Sequence, residues 1–296
     1  MPIAAIAVAI FINALWGGNP IAVKIGLEAF PPFWSAFLRF SIGALCIAGW
    51  AAATGVRLWP FVHEWKDLMW LSALFGVQIA IMNIGIDMSD GATSAVLISM
   101  FPLFAAGLSH FFVPGDRLTV LKMLGLLAAF SGAIVIVLRG DLDALATGVN
   151  AGDLIVLLSA FLLACRLVLT ANLLRRMETA RVVFWQMVIA LPAFFAIAGA
   201  WETVVFEEVT WAATMGLLYQ GIVIAGFGFV VNALLYRRYD PSVIVGFGFV
   251  SPVTGVLLGV WLLGDAADTS LLAGTAGIGI GLILLTMRQS GKPRRL

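Results

Sequence analysis

From residue 3 to residue 287 the chain is a succession of apolar runs of about twenty residues, and no other feature constrains its fold as strongly. Spanning length is reached at 3–23, 33–53, 68–86, 92–113, 119–138, 152–172, 182–200, 211–236, 242–263 and 270–287. A helix rising ~1.5 Å per residue needs ~20 residues to cross the ~30 Å hydrocarbon layer of a bilayer. A water-soluble reading fails, because only 11% of the 296 residues are charged and 62% are hydrophobic. The sequence therefore predicts an all-α integral membrane protein of ten transmembrane helices. Its connections are too short to hold a soluble catalytic or receptor domain. A β-barrel is excluded, since its strands alternate polar and apolar over ~10 residues, whereas 124–138 is apolar nearly throughout. The first run lacks the basic n-region of a signal peptide and outlasts its ~7–15-residue apolar stretch, so it is expected to be retained.

Turn-forming residues punctuate the runs at Pro31-Pro32, 54–66, 87–91, Pro114-Gly115-Asp116-Arg117, 139–150, 175–181, 202–210, 237–241 and 264–269. In a ten-span chain thirteen Lys and Arg fall on one side and only Lys24 and Arg139 on the other, while Arg39 and Arg166 lie within spans. Basic loops stay on the cytoplasmic side. The expectation is a multi-pass protein of a bacterial inner membrane with both termini cytoplasmic.

Other classes recede on simple grounds. A net charge of +1 gives no reason to expect a nucleic-acid partner. Cys46 and Cys165 lie inside apolar runs, and His63 and His110 are isolated, so neither a disulfide framework nor a metal site is expected. No HExxH motif is present, His110 near a helix end is a poor base for an intramembrane serine, and Val113 and Leu262 stand where a GxGD aspartyl site needs glycine. The reading is no enzyme, no cofactor and a monomer, whose partners are the lipid bilayer and a small molecule.

The two halves repeat each other. Asp90, Pro102, Asp116, Gly125 and Gly132 match Asp240, Pro252, Asp265, Gly274 and Gly281 at offsets of 150 or 149, and Phe33-Trp34 matches Phe184-Trp185 at 151. Five spans per half is an odd number, so the second half must enter the bilayer upside down relative to the first. Inverted repeats are typical of secondary transporters, which handle substrate near the midplane between them. A scaffold or sensor that duplicated for packing reasons is the alternative. The boundaries are a first repeat at 1–139, a linker at 140–150, a second repeat at 151–288 and a basic tail at 289–296.

Trp16-Gly17-Gly18-Asn19-Pro20-Ile21-Ala22-Val23-Lys24 resembles the first-span signature of the EamA-type branch of the drug/metabolite transporter (DMT) superfamily. Pro102, Gly115-Asp116-Arg117-Leu118-Thr119, Leu124-Gly125 and Gly132 resemble the end of its first repeat. Gly152-Asp153-Leu154, Pro252, Gly264-Asp265 and Gly274 are similar to its second. The resemblance implies a ten-helix bundle that moves small metabolites by alternating access. Within the superfamily the chain is most similar to the YddG-type exporters of aromatic and neutral amino acids. It departs from the pattern at Pro114, where an apolar residue is usual, and at Arg166, since the sixth span lacks the tryptophan often found there.

Polar residues inside hydrocarbon need partners or a cavity, so they form the candidate list. Trp16, Gln78, Met82, Tyr219 and Gln220 are expected to meet substrate in a central, mostly apolar cavity, the aromatic and thioether surfaces suiting an uncharged side chain and the amides an amino-acid head. Asn13, Asn19, Asn83, Asn232 and Arg39 are further polar residues of that cavity, with Asn83 and Asn232 paired by the repeat offset. For the first span a small-residue packing seam explains the same pattern, and for the amides interhelical bonding does. Arg39 reads better as an ion pair to Glu28 or Asp87, or as snorkelling, than as a carboxylate ligand, and Arg166 as snorkelling to the inner face. The runs Gly226-Phe227-Gly228-Phe229 and Gly246-Phe247-Gly248-Phe249 fit either a moving gate or a tight contact. All sixteen acids lie in loops or near span ends, so coupling to protons through a buried carboxylate is not expected. Export of drugs or of another metabolite stands beside amino-acid export as an alternative.

Overall fold

The computed structural model describes residues 1–27, 29–88, 97–98, 100–138, 151–204, 209–263 and 269–286. Glu28, Asp90, Arg139, Asp265, the whole expected linker and the basic tail lie outside these residues, as does the side chain of Asp87. Among the described residues the chain forms α1 (Ile3–Leu27), α2 (Pro32–Thr54), α3 (Trp65–Met88), α4 (Phe101–Phe112), α5 (Val120–Leu138) and α6 (Ala151–Leu173). The second half continues with α7 (Thr179–Trp201), α8 (Trp211–Arg238), α9 (241–263) and α10 (Thr269–Thr286). Six of the ten, α1, α2, α3, α6, α7 and α8, are long and apolar enough to cross a membrane. The other four are shorter apolar helices within the described residues.

Local chemistry sets several helix ends. Pro32 opens α2, where a missing N–H costs nothing. The free N–H groups of Phe33 and Trp34 donate to the Glu202 carboxylate at 2.9–3.0 Å, an anion at a helix N-terminus reached from the other half of the chain. Gly55 closes α2 in the left-handed region at φ 70°. α7 breaks between Val188 and Leu191, with Pro192 in the first turn of its second piece.

Helix packing repeats the symmetry read from the sequence. α1 packs on α8 and α9, and its counterpart α6 packs on α3 and α4. α2 packs on α8, and its counterpart α7 packs on α3. Two pairs, α2 with α7 and α5 with α10, are their own counterparts. A pseudo-two-fold axis relating inverted five-helix repeats produces this list of pairs.

The α5–α10 crossing shows why glycine recurs. A Cβ added to Gly125 would lie 2.8 Å from the carbonyl oxygen of Gly281, and one on Gly132 would lie 2.5 Å from that of Gly274. Only glycine lets the backbones meet so closely. The repeat offset makes Gly274 the counterpart of Gly125 and Gly281 that of Gly132, so each first-half glycine touches the counterpart of the other, as a two-fold crossing requires. Leu126, Ala129, Ala133, Ile278 and Leu285 fill the space around it.

Charged clamps tie the end that carries Arg57, Arg175 and Arg181. Gly115 turns at φ 84°, and Asp116 then accepts from Lys122 Nζ at 2.7 Å and from the Ser242 amide and hydroxyl at 2.8 and 2.6 Å. This joins the α4–α5 turn to the start of α9. Arg181 Nη1 donates to both oxygens of buried Glu64 at 2.7 and 2.9 Å. Phe33-Trp34 lies at the opposite end, whereas Trp185 packs against Trp59 and Trp65 and donates to Leu58 O at 2.8 Å.

Candidate functional site

Two helix interfaces, α1–α8 and α3–α6, hold the five residues expected to meet substrate, and these interfaces are counterparts under the pseudo-symmetry. At α1–α8 the Tyr219 hydroxyl donates to Leu15 O at 2.6 Å, in the space Gly18 leaves open. Gln220, 1% exposed, donates from Nε2 to Ala22 O at 3.1 Å and accepts from Arg39 Nη1 at 3.4 Å. Trp16 stacks on Phe229 with ring centroids 5.4 Å apart, and its buried Nε1 has no acceptor among the described residues. Tyr219 and Gln220 begin a stretch, Tyr219–Gly228, in which α8 widens to π geometry, so that the Phe229 amide bonds back to Ile224 O. Such widening is rare and gathers at functional sites.

At α3–α6, Gln78 is also 1% exposed. Its Nε2 donates to Ser159 Oγ at 3.3 Å and lies 3.8 Å from Met82 Sδ, while Ser159 Oγ returns a 3.3 Å bond to Gln78 O. The Gln78 Oε1 atom is buried without a partner among the described residues. One turn along α3, the Phe75 ring lies 4.9 Å beneath the guanidinium of Arg166. Between the two interfaces runs an aromatic core. Phe40 contacts Phe75, Phe194 and Phe229 at centroid distances of 4.7, 5.8 and 6.4 Å.

The further candidates divide. Asn13 Nδ2 bonds back to Ala9 O at 2.8 Å, while its own carbonyl accepts from Ser251, so it serves α1 and the α1–α9 contact rather than a cavity. Asn19 and Asn232 each bury a side-chain oxygen with no partner among the described residues, and Asn83 is half-buried. Arg39 sits 4.6 Å over Phe40 and bonds to Gln220, with no carboxylate in reach among the described residues. The ion pairs expected for it with Glu28 or Asp87 fall outside those residues. His110 Nδ1 accepts from the Leu118 amide at 3.1 Å and holds the α4–α5 turn, where a pocket of about 330 Å³ opens between His110 and Arg117.

One expectation is corrected. Arg166 does not snorkel: it is 8% exposed, and its head lies on Phe75, which is itself fully buried. Burial follows because α6 presents residues 159 and 166, seven apart and therefore on one face, toward α3. Ser159 was not singled out in the sequence. The i, i+7 spacing of Ser159 and Arg166 was the available signal. The glycine-phenylalanine runs mark irregular backbone in two helices of the second half, the π stretch in α8 and a 3₁₀ stretch at Val245–Phe249 in α9.

The chain matches the model of the EamA-like transporter family twice, at residues 3–138 and 150–287. It is 26% identical over 282 residues to an uncharacterized transporter of Archaeoglobus fulgidus, covering 93% of this chain and 94% of that protein. It is 26% identical over 285 residues to a probable terminal-alkyne amino-acid exporter of Streptantibioticus cattleyicolor, covering 94% and 92%. A solved crystal structure shares its fold, with a TM-score of 0.82 over 99% of both chains at 20% identity.

Proposed function

Because the chain belongs to the EamA-like transporter family, we propose that it exports amino acids, aromatic or neutral ones foremost, across the bacterial inner membrane by alternating access. The observation that carries this reading is the pair of deeply buried amides, Gln78 and Gln220, on the symmetry-related helices α3 and α8. Gln78 lies against Met82 and one turn from Phe75, and Gln220 bonds to Arg39, whose head group lies over the Phe40 ring. Amides suit a zwitterionic head and the aromatic and thioether faces suit an uncharged side chain. The amino-acid exporter among the relatives supports the same substrate class.

The five helices of each half, 1–139 and 151–288, act as the two bodies that rock about the site. The basic end faces the cytoplasm with both termini, following the distribution of Lys and Arg. A reporter active only in the periplasm, fused to Leu296, should give no signal, and a strong signal would overturn this topology. Among the described residues the buried acids are Glu64, Asp116 and Asp153; Arg181 and Lys122 occupy the first two, Asp153 stands in the first turn of α6 at a span end, and His110 is occupied by a turn amide. Transport then follows the substrate gradient or exchanges one substrate for another, without a proton.

The test is counterflow of radiolabelled amino acids in proteoliposomes. Wild-type protein should exchange aromatic or neutral amino acids, and an imposed pH gradient should not drive their accumulation. If Gln78→Ala and Gln220→Ala both exchange at the wild-type rate, the proposed site is wrong. A protein with no counterflow of any small molecule would favour the scaffold.

A further inference from the structure

Among the described residues Arg166, like Arg39, has no counter-charge in reach, and it lacks the glutamine oxygen to which Arg39 donates. It is 8% exposed, its Nε has no acceptor, and no carboxylate lies within 4 Å among the described residues. Its neighbours are the face of Phe75 and the neutral phenol of Tyr236, itself 5% exposed, close enough to interact electrostatically. An aromatic face attracts a cation but does not neutralise it. An intramembrane charge in this state is costly, which makes a ligand its natural partner.

A second unsatisfied group lies one helical turn along α3 from the ring that holds the Arg166 head. Gln78 Oε1 is buried and unbonded, and Gln78 follows Phe75 by one helical turn, about 5 Å along α3. Opposite, Ser159 contacts Gln78 and Arg166 contacts Phe75, so successive levels of one interface carry a lone acceptor and a lone cation. An α-amino acid presents the complement, an ammonium that donates and a carboxylate that accepts, separated by a single carbon. We propose that the α3–α6 interface is the head-group site, Arg166 taking the carboxylate and Gln78 Oε1 the ammonium. The assignment rests on the amino-acid reading above and deepens it, since it fixes which end of the substrate meets which helix. Both groups are shut from solvent, so a ligand reaches them only as the helices part, which alternation between the two faces demands. Arginine suits the task because its planar fork engages both carboxylate oxygens.

The test uses the full-length protein in proteoliposomes with three probes: L-phenylalanine, L-phenylalaninamide, which lacks the carboxylate, and 3-phenylpropanoate, which lacks the ammonium. Wild type should prefer L-phenylalanine over the amide by roughly tenfold or more, because a buried polar group left unpaired penalises the analogue. Arg166→Gln should bring that preference to within about twofold while the protein melts at the same or a higher temperature, since an unpaired buried charge has been removed. Gln78→Leu should instead erase the preference over 3-phenylpropanoate. Retention of the wild-type carboxylate preference in Arg166→Gln overturns the assignment. Should that variant fail to fold, Arg166→Lys decides, a weakened preference supporting the assignment and an unchanged one overturning it. A wild type that moves 3-phenylpropanoate but not L-phenylalanine would sink the amino-acid reading and leave Arg166 as a carboxylate site. One that moves the amide as well as L-phenylalanine would sink the head-group assignment alone. A wild type that moves none of the three overturns both.

Discussion

The α1–α8 and α3–α6 interfaces are counterparts, yet they dispose of their polar groups in different ways. At α1–α8 the phenol and the amide are tied to main-chain carbonyls, Tyr219 to Leu15 and Gln220 to Ala22, and the amide oxygen is taken by Arg39. At α3–α6 the amide nitrogen bonds to a side chain and its oxygen has no partner among the described residues, one helical turn from the Phe75 ring that holds the Arg166 guanidinium. The first interface spends its phenol and its glutamine amide on holding helices together, although Trp16 Nε1, Asn19 Oδ1 and Asn232 Oδ1 on α1 and α8 are buried without a partner among the described residues. The second leaves its glutamine oxygen unspent. On the proposed reading, the two glutamines of a repeated scaffold divide cohesion from recognition.

Substitutions sharpen this contrast in order of expected size. Gln78→Ala should lower transport at least tenfold, equivalent to ~1.4 kcal/mol of lost interaction with substrate, with little change in thermal unfolding in detergent. An unaltered transport rate there would erase the distinction between the interfaces. Gln220→Ala should show the reverse balance, losing about 1–3 kcal/mol of stability because Ala22 O and the Arg39 head group lose a buried partner. Thermal unfolding followed by size-exclusion fluorescence reads this directly. Tyr219→Phe should cost less, about 0.5–1.5 kcal/mol for one hydrogen bond, and leave counterflow near the wild-type rate. If Tyr219→Phe abolishes transport at unchanged stability, α1–α8 is a recognition surface too.

How far these differences could be read in the sequence depends on which partner each residue uses. Ten helices followed from run length alone, and the inverted repeat followed from residues matched at a constant offset and an odd number of spans per half; the close α5–α10 crossing gives the reason that Gly125, Gly132, Gly274 and Gly281 are among the matches. Gln78, Met82, Tyr219 and Gln220 stood out as polar or soft groups at depth. Their division between two interfaces did not, since the carbonyls of Leu15 and Ala22 are acceptors that every residue carries and no pattern of side chains reveals. Arg166 was misjudged for a related reason. Distance from a span end measures how far a lysine or arginine must stretch to reach water, but the Phe75 ring that holds this one is contributed by another helix. The π widening at Tyr219–Gly228 was likewise hidden: Gly221, Gly226 and Gly228 permit it without requiring it.

The glycine seam between α5 and α10 also has a meaning in time. Half of it lies in the last helix of the described chain, about 150 residues beyond Gly132 in order of synthesis. At ~5–20 residues per second a ribosome needs roughly 8–30 s to cover that interval. Through all of it α5 sits in the bilayer with its glycine face turned to lipid or to a temporary neighbour. Closure of the two-fold then waits for α10, and a chain truncated before α10 would keep both amide-bearing interfaces yet never acquire the contact that locks its halves into register.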